Sequence, residues 1–574
     1  MFEQIRRLVS SRASEESAAS DAPAVAGQAA PSVLNVGGGL KSIAIPPRYA
    51  GWNQVLLDIK AAPGVDLVCD ARRLGELPGE RFDAVYCSHN LEHYYHHEVP
   101  RVLAGFGHVL KESGFCEIRV PDMQAVFEHA SAAGEDLEAT LYEAEAGPVS
   151  TLDVIYGFGE QIRRSGEPYY AHKTGFTALT LERALRQAGF AEVFVLRQPR
   201  FELRALALKR ASTQPRRAKD AARALDALYD YGSGAWQLSQ YAAAARAARA
   251  AIAIDATLPA LHYLLGCALL DADHCQAAQG AFDQALALAP EYPLALQARL
   301  CAALARARHE LAAGVLPRLA EAPAQRPQLV SIVICSARPE HLARASAAYD
   351  RAFAGVAHEV VAVRDARSLA EGYNRGLAAS RGELVVFSHD DVDIAASDFA
   401  ARLLKHMESA DVVGVAGTSQ AVTASWLGAG WLGLAGQIAV PGEDGRLTVT
   451  AFGSRLAAGA AQALDGVFLA CRREAALKIG FDAETFDGWH GYDFDFSFRA
   501  HLAGCRCAVA GDLLLVHDSA GSFDSPHWRR YCERALAKHR RALPEGAGMP
   551  RQPQLYSVEV RSGAEWQLMT DYLL

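Results

Sequence analysis

At 574 residues the chain is several times longer than one domain, so two to four separately folded units are expected. The composition, 51% hydrophobic and 21% charged residues, is that of a globular protein, and a formal net charge of -9 offers no basic surplus for binding nucleic acid. The eleven cysteines form no pair of CxxC elements, which argues against a structural zinc site and favours a reducing compartment.

The N-terminal segment, residues 1–31, is rich in Ala, Ser and Glu without an apolar period, and it is predicted to be a disordered leader. The start lacks the apolar core of a signal peptide, and no stretch reaches the roughly 20 apolar residues that span a bilayer. These features predict a cytoplasmic protein. A short apolar face on residues 2–9, beside two arginines, leaves peripheral attachment at the inner face of the membrane as a second interpretation.

Short apolar runs alternate with helical patterns in two stretches, residues 32–210 and residues 327–545. This alternation predicts an α/β domain in each stretch, so the fold class is α/β multidomain. The last block, residues 546–574, has little pattern and is treated as a C-terminal tail.

Residues 218–312, between the two α/β stretches, are rich in alanine and contain a repeat. Gly232 and Gly266 correspond at a spacing of 34 residues, as do Pro259 and Pro293. This is the period of tetratricopeptide repeats, which are helix pairs that need neighbours to cover their apolar faces. The segment is predicted to be a short α-helical repeat, and both a spacer role and a groove for a protein partner are open.

A glycine loop follows the first predicted strand of residues 32–210. Asn35 lies near the end of that strand, and residues 37–39 are all glycine, which lets the backbone bend sharply and approach a ligand closely. The second strand ends at Asp58, where a carboxylate can accept hydrogen bonds from a ribose diol. Asp70 follows the third strand. Order and spacing therefore predict a nucleoside-containing cofactor.

Two further motifs narrow the choice of cofactor. Residues 81–93 contain the sequence Leu91-Glu92-His93 after an apolar strand, and a later strand ends in the sequence VPD at residues 120–122. With these motifs, residues 33–206 resemble the class I methyltransferases, which use S-adenosylmethionine on a Rossmann-like fold. The cofactor residues that follow from this resemblance are Asn35, Gly37, Gly39, Asp58, Asp70 and His89.

Methyl transfer from a sulfonium depends mostly on positioning and needs a base only to take a hydroxyl proton. His93 is the predicted base and His89 the alternative, and either histidine could instead be structural. A dinucleotide oxidoreductase is the competing interpretation. It is disfavoured because residues 40–42, Leu-Lys-Ser, break the spaced glycine pattern G-x-G-x-x-G.

The second α/β stretch carries acidic residues just past a buried strand, at His389-Asp390-Asp391. Oxygen ligands at such a position suit a hard divalent cation, Mn²⁺ or Mg²⁺, which can neutralise a diphosphate leaving group. Residues 331–522 resemble the family 2 glycosyltransferases of GT-A fold, in the branch whose metal motif reads FxHDDV.

The resemblance implies a role for each matching residue. Asp391 is the firmest metal ligand, His389 replaces the usual first carboxylate, and His517 supplies a last ligand. Asp493 is the general base for an inverting transfer, and Tyr492 stands where the family usually has glutamate. The predicted residues of the nucleotide-sugar site are Ser336, Asp365, Asn374 and Asp390.

The predicted function is a bifunctional enzyme of bacterial surface-polysaccharide synthesis, O-antigen-like. It would transfer a sugar from a nucleotide sugar to a glycan acceptor, lipid-linked or on a protein, and methylate a sugar hydroxyl. Three alternatives remain open: a repeat-centred scaffold with a vestigial methyltransferase module, a protein glycosyltransferase, and a GT-A domain without activity.

Overall fold

The structure is a computed structural model that describes residues 30–134, 136–144, 147–321, 327–453, 455–519, 525–551 and 555–574. The apolar face of residues 2–9, and all but two residues of the predicted leader, lie outside the described residues. The chain divides into two compact units, Met1–Leu288 and Ala289–Leu574. In the described ranges, no helix combines the length and the apolar character needed to cross a bilayer.

The described part of the first unit contains a seven-stranded sheet with the strand order β3-β2-β1-β4-β5-β9-β8, and a separate hairpin, β6-β7. The strands are β1 Ser32–Val36, β2 Asn53–Asp58, β3 Leu67–Val68, β4 Phe82–Ser88, β5 Leu110–Pro121, β6 Thr140–Ala144, β7 Gly147–Ser150, β8 Glu192–Gln198 and β9 Glu202–Leu208. The helices are α1 Val99–Val109, α2 Met123–Ala133, α3 Thr151–Tyr156, α4 Gly159–Ser165, α5 Ala178–Gln187, α6 Ala218–Gln237, α7 Tyr241–Ile254, α8 Pro259–Asp271 and α9 Cys275–Leu288.

The register of this sheet brings three strand ends together. β1 pairs in parallel with both β2 and β4, and Val36 lies opposite Leu57 on one side and Cys87 on the other. Side chains of β1 alternate between two cores: Leu34 enters one and Val33 the other. Because the strand order reverses at β1, the crevice beyond the ends of β1 and β4 is where such a sheet binds ligands.

Helices α6–α9 lie within residues 218–312, the segment in which the 34-residue period occurs. Gly266 on α8 lies against Phe282 on α9, and a Cβ at Gly266 would come within 2.4 Å of that ring. Tyr231 and Ala247, from α6 and α7, are buried in the same core as Phe194 of the sheet. The helical pairs thus pack on the α/β domain, while their membership of the tetratricopeptide class stays a prediction.

The described part of the second unit contains a sheet with the order β11-β10-β12-β20-β14-β21-β18 and another with the order β13-β22-β16-β15-β19. β17 pairs with β16 of the second sheet, and β23 pairs with β17. The strands are β10 Val330–Cys335, β11 His358–Val363, β12 Leu384–Ser388, β13 Val392–Ile394, β14 Val412–Gly414, β15 Ala416–Thr418, β16 Leu434–Pro441, β17 Leu447–Ala451, β18 Ala457–Ala458, β19 Ala463–Leu464, β20 Phe468–Arg472, β21 Cys507–Ala510, β22 Leu515–His517 and β23 Tyr556–Val560. The helices are α10 Pro293–Ala312, α11 Pro339–Ala352, α12 Leu369–Ala379, α13 Phe399–Ser409, α14 Gly430–Gly433, α15 Arg473–Ile479, α16 Tyr492–Leu502, α17 Pro526–His539 and α18 Gly563–Leu573.

Strands β10 and β12 are buried along their whole length, as expected for parallel strands covered on both faces. They pair in parallel, with Ile334 opposite Ser388, so residues that follow the two strands emerge side by side. The predicted α/β fold class is confirmed for both stretches.

The C-terminal block, treated above as a tail, is structured in the described residues. β23 pairs with β17 in antiparallel fashion, and α18 follows it. Trp566 of α18 is fully buried, and its Nε1 donates to Gln437 Oε1 at 3.0 Å. The block therefore forms part of the second unit's core.

Candidate active sites

The first two glycines of the loop after β1 are packed too closely for a side chain. Gly37 has φ +70°, and a Cβ there would come within 2.1 Å of Asn90 Nδ2; one at Gly38 would come within 2.3 Å of Asn35 Nδ2. Asn35 is buried beneath the loop. Gly39 also has a positive φ, +65°, which favours glycine. The loop thus presents backbone at the crevice between β1 and β4.

The two predicted carboxylates differ in what surrounds them. Asp58 ends β2 beside the loop, and its Oδ1 accepts a hydrogen bond from Lys60 N at 3.0 Å, while the residue stays partly exposed. Asp70 accepts hydrogen bonds from the backbone and the guanidinium of Arg72. Asp58 is therefore open to a ligand, whereas Arg72 already engages the carboxylate of Asp70.

His89 follows β4 with a φ of +47°, an uncommon value for a residue with a side chain. Its Nε2 lies 3.1 Å from Glu202 Oε2, and its Nδ1 lies 3.4 Å from Glu92 Oε1. Desolvation lowers the pKa of His89, but the nearby carboxylates of Glu202 and Glu92 outweigh it and raise the pKa to about 10. His89 is thus a cation near neutral pH.

His93 lies just after β4 and belongs to a cluster with Glu92 and His172. Ligand-capable atoms of Glu92, His93 and His172 all lie within 4.8 Å of one another. Desolvation raises the pKa of Glu92, yet the neighbouring histidines, His89 first, outweigh it and lower the pKa. Desolvation lowers the pKa of His172 and favours its neutral ring.

In the second unit, a cavity of about 830 Å³ opens beyond the ends of β10 and β12. This volume lies within the usual range for small-molecule sites. Six of the predicted residues line it, namely Ser336, His389, Asp390, Asp391, Asp493 and His517. Segments far apart in sequence therefore converge on one space.

Three groups converge on Nε2 of His517 at the cavity wall. Asp391 Oδ1 lies 3.1 Å away, His389 Nδ1 3.2 Å away and Ser519 Oγ 3.2 Å away. Burial raises the pKa of Asp391, but the hydrogen bond from His517 and the positive charge of that ring outweigh it, so the pKa falls below its ordinary value. Ligand atoms of His389, Asp391 and His517 lie within 4.8 Å of one another, an arrangement that can hold a cation.

Tyr492 fixes the tautomer of His389. The hydroxyl of Tyr492 donates to the carbonyl of Gly466 at 3.1 Å, so it accepts from His389 Nε2 at 2.8 Å. The remaining nitrogen, Nδ1, then carries a lone pair directed toward Asp391 and His517. Burial, followed by the charge of His517, lowers the pKa of His389 to about 4, so the ring is neutral.

Asp493 lies in the first turn of α16, after Gly491 with a φ of +76°. Burial and the nearby carboxylate of Asp465 raise the pKa of Asp493 to about 7. Gly466 makes this packing possible, since a Cβ there would come within 2.7 Å of the Asp493 Cβ. A carboxyl group with this pKa suits proton transfer near neutral pH.

Asp390 contacts two residues that follow β10. Its Oδ2 accepts a hydrogen bond from Ser336 Oγ at 2.6 Å, and its Oδ1 lies 3.6 Å from a guanidinium nitrogen of Arg338. Arg338 thus adds a positive charge to the cavity wall. Arg338 was not predicted as a site residue, although it follows the predicted Ser336 by two residues.

Two predicted residues are not brought to the lining of this cavity. Asn374 uses its amide on the backbone of Phe481, with Nδ2 donating at 2.8 Å and Oδ1 accepting at 2.9 Å. Asp365 is largely exposed and forms an ion pair with Arg375. Asp465, by contrast, lines the cavity but was not predicted as a site residue. The only signal for it was its place beside Gly466, ahead of β20.

Two family models match parts of the chain. A model described as a methyltransferase domain matches residues 52–118, and one described as a glycosyltransferase like family matches residues 331–539. No curated protein matches the chain.

Several solved structures are similar to parts of the chain at low identity. A SAM dependent methyltransferase from Archaeoglobus fulgidus is 16% identical, with 36% of this chain and 94% of that one covered and a TM-score of 0.21. A 1,6-didemethyltoxoflavin-N1-methyltransferase from Burkholderia thailandensis is 19% identical, with 36% and 88% covered and a TM-score of 0.19. A mannosyltransferase from Pyrobaculum calidifontis, solved with GDP-Man and Mn²⁺, is 17% identical, with 49% and 80% covered and a TM-score of 0.26. The two family matches agree with the sequence motifs: the chain carries a methyltransferase domain and a glycosyltransferase-like domain, and it is an enzyme.

Proposed function

We propose that the second unit transfers a sugar from a nucleotide sugar to a hydroxyl group of an acceptor, with inversion at the anomeric carbon. The observation that carries this proposal is that Asp391 and Asp493 line one cavity of about 830 Å³. The base and the group that holds the leaving diphosphate must face the same space, because the acceptor oxygen attacks the anomeric carbon from which the diphosphate departs.

The residues present fit a divalent cation. Asp391 offers a carboxylate oxygen, His389 a lone pair on Nδ1, and His517 its Nε2, all within 4.8 Å of one another. A cation bound there would neutralise the charge of the departing diphosphate. Arg338, beside Asp390, adds a fixed positive charge for the same phosphates.

Asp493 does the proton chemistry in this proposal. Its carboxylate takes the proton from the acceptor hydroxyl as the oxygen forms its bond to the anomeric carbon. The bond from that carbon to the diphosphate oxygen breaks on the opposite face, and its electrons leave with the diphosphate. Trp489, which lines the cavity and is 55% exposed, offers an aromatic face for a sugar ring.

For the first unit we infer methylation of a hydroxyl group with S-adenosylmethionine as donor. The crowded loop at Gly37 and Gly38 fits the close approach of a ligand to the backbone, and Asp58 fits a ribose diol. His93, in the turn that follows β4, is the proposed base for the acceptor proton, with His89 as the alternative. Both activities on one chain support a role in surface-polysaccharide synthesis in the cytoplasm, with a glycan as acceptor.

Two substitutions test the glycosyl transfer. Asp493→Asn should abolish transfer while the nucleotide sugar still binds, because the amide cannot accept the proton. Asp391→Ala should weaken binding of both Mn²⁺ and the donor. Asp393→Asn is the matched control, since Asp393 pairs with Arg351 and does not line the cavity. Equal donor affinity in the Asp493 and Asp391 variants, measured by calorimetry, would contradict the two roles.

Titration with S-adenosylmethionine tests the first unit. Binding with a stoichiometry of one per chain is expected, and Gly37→Ala should abolish it because the new Cβ meets Asn90. A chain that binds no S-adenosylmethionine would instead support a scaffold with a vestigial methyltransferase module.

A further inference from the structure

A buried carboxylate lies beside three histidines, His89, His93 and His172, in the first unit. The side chain of Glu92 is 1% exposed, and its Oε1 lies 3.4 Å from His89 Nδ1. Among the described residues neither oxygen of Glu92 has a hydrogen-bond partner of good geometry. An ionised carboxylate in such a place is costly unless a cation or a donor compensates it. His93 and His172 approach it with ligand-capable atoms that all lie within 4.8 Å.

Both rings have a second partner that fixes their orientation. His93 Nδ1 lies 3.2 Å from the carbonyl oxygen of Ala171, and His172 Nδ1 lies 2.8 Å from that of Val154. A neutral ring that donates Nδ1–H to a carbonyl keeps its lone pair on Nε2. This backbone support is the usual outer shell of metal-binding histidines.

The backbone around the cluster is held in place before any ligand binds. The carbonyl of Glu92 accepts hydrogen bonds from Lys173 N at 2.8 Å and Thr174 N at 3.2 Å, and His172 N donates to the carbonyl of Tyr156 at 3.0 Å. Gly157 packs so tightly here that a Cβ would come within 2.4 Å of the Tyr170 carbonyl oxygen. The three side chains are therefore positioned by a rigid frame.

We propose that Glu92, His93 and His172 bind a divalent transition-metal ion, with zinc as the best fit. Two imidazoles and one carboxylate suit zinc better than Mg²⁺ or Ca²⁺, which prefer oxygen ligands. Zinc bonds of about 2.1 Å set the ligand atoms of a tetrahedron roughly 3.4 Å apart, so the cluster needs only a small contraction. This site is separate from the one formed by Asp391 and His517.

The location of the site near the glycine loop indicates what the metal would do. This assignment rests on the proposed methyl transfer. The turn Leu91–His93 follows β4, and Asn90 touches the glycine loop at Gly37. Three protein ligands leave a fourth position for the acceptor hydroxyl, whose pKa the metal lowers. The proton passes to water, the oxygen bonds to the methyl carbon, and the electrons of the broken C–S bond stay on sulfur. His93 is then a ligand and not a free base.

Metal binding is measured directly, with Asp391→Ala and His517→Ala combined to remove the other site from the full chain. After dialysis against a chelator, titration with zinc chloride should give one zinc per chain. Adding Glu92→Gln should weaken zinc binding at least tenfold, and adding His172→Ala should abolish it. His96→Ala, an exposed histidine nearby, is the control and should change nothing. The proposal is overturned if the chain with Asp391→Ala and His517→Ala binds no zinc. It is also overturned if neither Glu92→Gln nor His172→Ala changes zinc binding.

Co²⁺ provides a second readout that does not depend on activity. The background protein should show the visible absorption of a four-coordinate cobalt site, and the Glu92→Gln variant should lose it while its circular dichroism stays unchanged. Zinc binding without S-adenosylmethionine binding would uphold the metal site and overturn only the assigned methyl transfer. S-adenosylmethionine binding without zinc or cobalt binding would overturn the metal site alone.

Discussion

Asp493 owes its suitability as a base to its surroundings. A carboxylate with an ordinary pKa near 4 attracts a hydroxyl proton weakly, and burial together with Asp465 raises the pKa of Asp493 to about 7. Asp465 is itself buried, which raises its own pKa. The ionisation of each of these two buried carboxyl groups therefore affects that of the other.

The rate of sugar transfer should follow the ionisation of Asp493. The base must be deprotonated, so the rate should fall about tenfold per pH unit below about 7 and level off above it. Asp465→Asn removes a neighbouring carboxylate, and it should move the falling limb to lower pH. The measurement is a pH–rate profile of both proteins at saturating donor. If the falling limb of the pH–rate profile stays at the same pH in the Asp465→Asn variant, Asp465 does not set the pKa of Asp493.

Tyr492 should act on the cation through His389. Tyr492→Phe removes the hydroxyl that accepts from His389 Nε2, so the ring loses its fixed tautomer. Loss of such an outer partner commonly costs 10–100-fold in metal affinity, and the Mn²⁺ concentration for half-maximal transfer should rise by about that factor. Tyr531→Phe is the control, because its hydroxyl binds Asp487. An unchanged Mn²⁺ dependence in the Tyr492 variant would contradict this role.

The sequence could group Asp391 with His517 more readily than it could place Asn374. Asp391 and His517 follow β12 and end β22, and strand pairing alone brings such residues to one edge. Asn374 lies within α12, where the direction of a side chain depends on how the helix rotates onto the sheet. That rotation depends on packing against Phe481, 107 residues away, which no local pattern reveals.

At the element scale, β23 and α18 complete the second unit. Tyr556–Val560 alternates buried and exposed residues against β17, and α18 buries Trp566, Met569 and Thr570. Arg308 of α10 pairs with Glu565 of α18. These contacts join the last helix to the remainder of its unit.

Trp566→Ala should destabilise the second unit by about 3–5 kcal/mol, because it removes a fully buried ring and leaves Gln437 without a donor. Trp489→Ala is the matched comparison and should cost less than about 1 kcal/mol, since that ring is 55% exposed. Urea denaturation of both variants measures the difference. Equal midpoints would show that α18 contributes little to this unit.

There is a physical reason why the sequence did not predict β23 and α18. β17 and β23 are five-residue strands that gain stability by pairing with each other across more than 100 residues, and a short strand has weak periodicity of its own. β10 and β12 were predicted because strands that are buried on both faces have continuous apolar runs, which are visible in the sequence.

At the scale of the whole molecule, each proposed reaction lies within one compact unit. The cofactor loop and the histidine cluster belong to the first unit, and the cavity with Asp391 and Asp493 belongs to the second. Gly37→Ala should therefore remove methyl transfer and leave sugar transfer unchanged, and Asp493→Asn should do the reverse. Paired assays of both variants check this, and a variant that loses both activities while keeping its fold would contradict independent sites.

The proposed sugar transfer requires Asp391 and Asp493 to serve one reaction. The most direct measurement is to incubate the purified full chain with a panel of nucleotide sugars and Mn²⁺ or Mg²⁺, and to follow release of the nucleoside diphosphate. Release is expected with at least one sugar, and it should be lost in Asp493→Asn and Asp391→Ala and kept in Asp393→Asn. A folded protein that releases no diphosphate from any nucleotide sugar, with either metal, would contradict it.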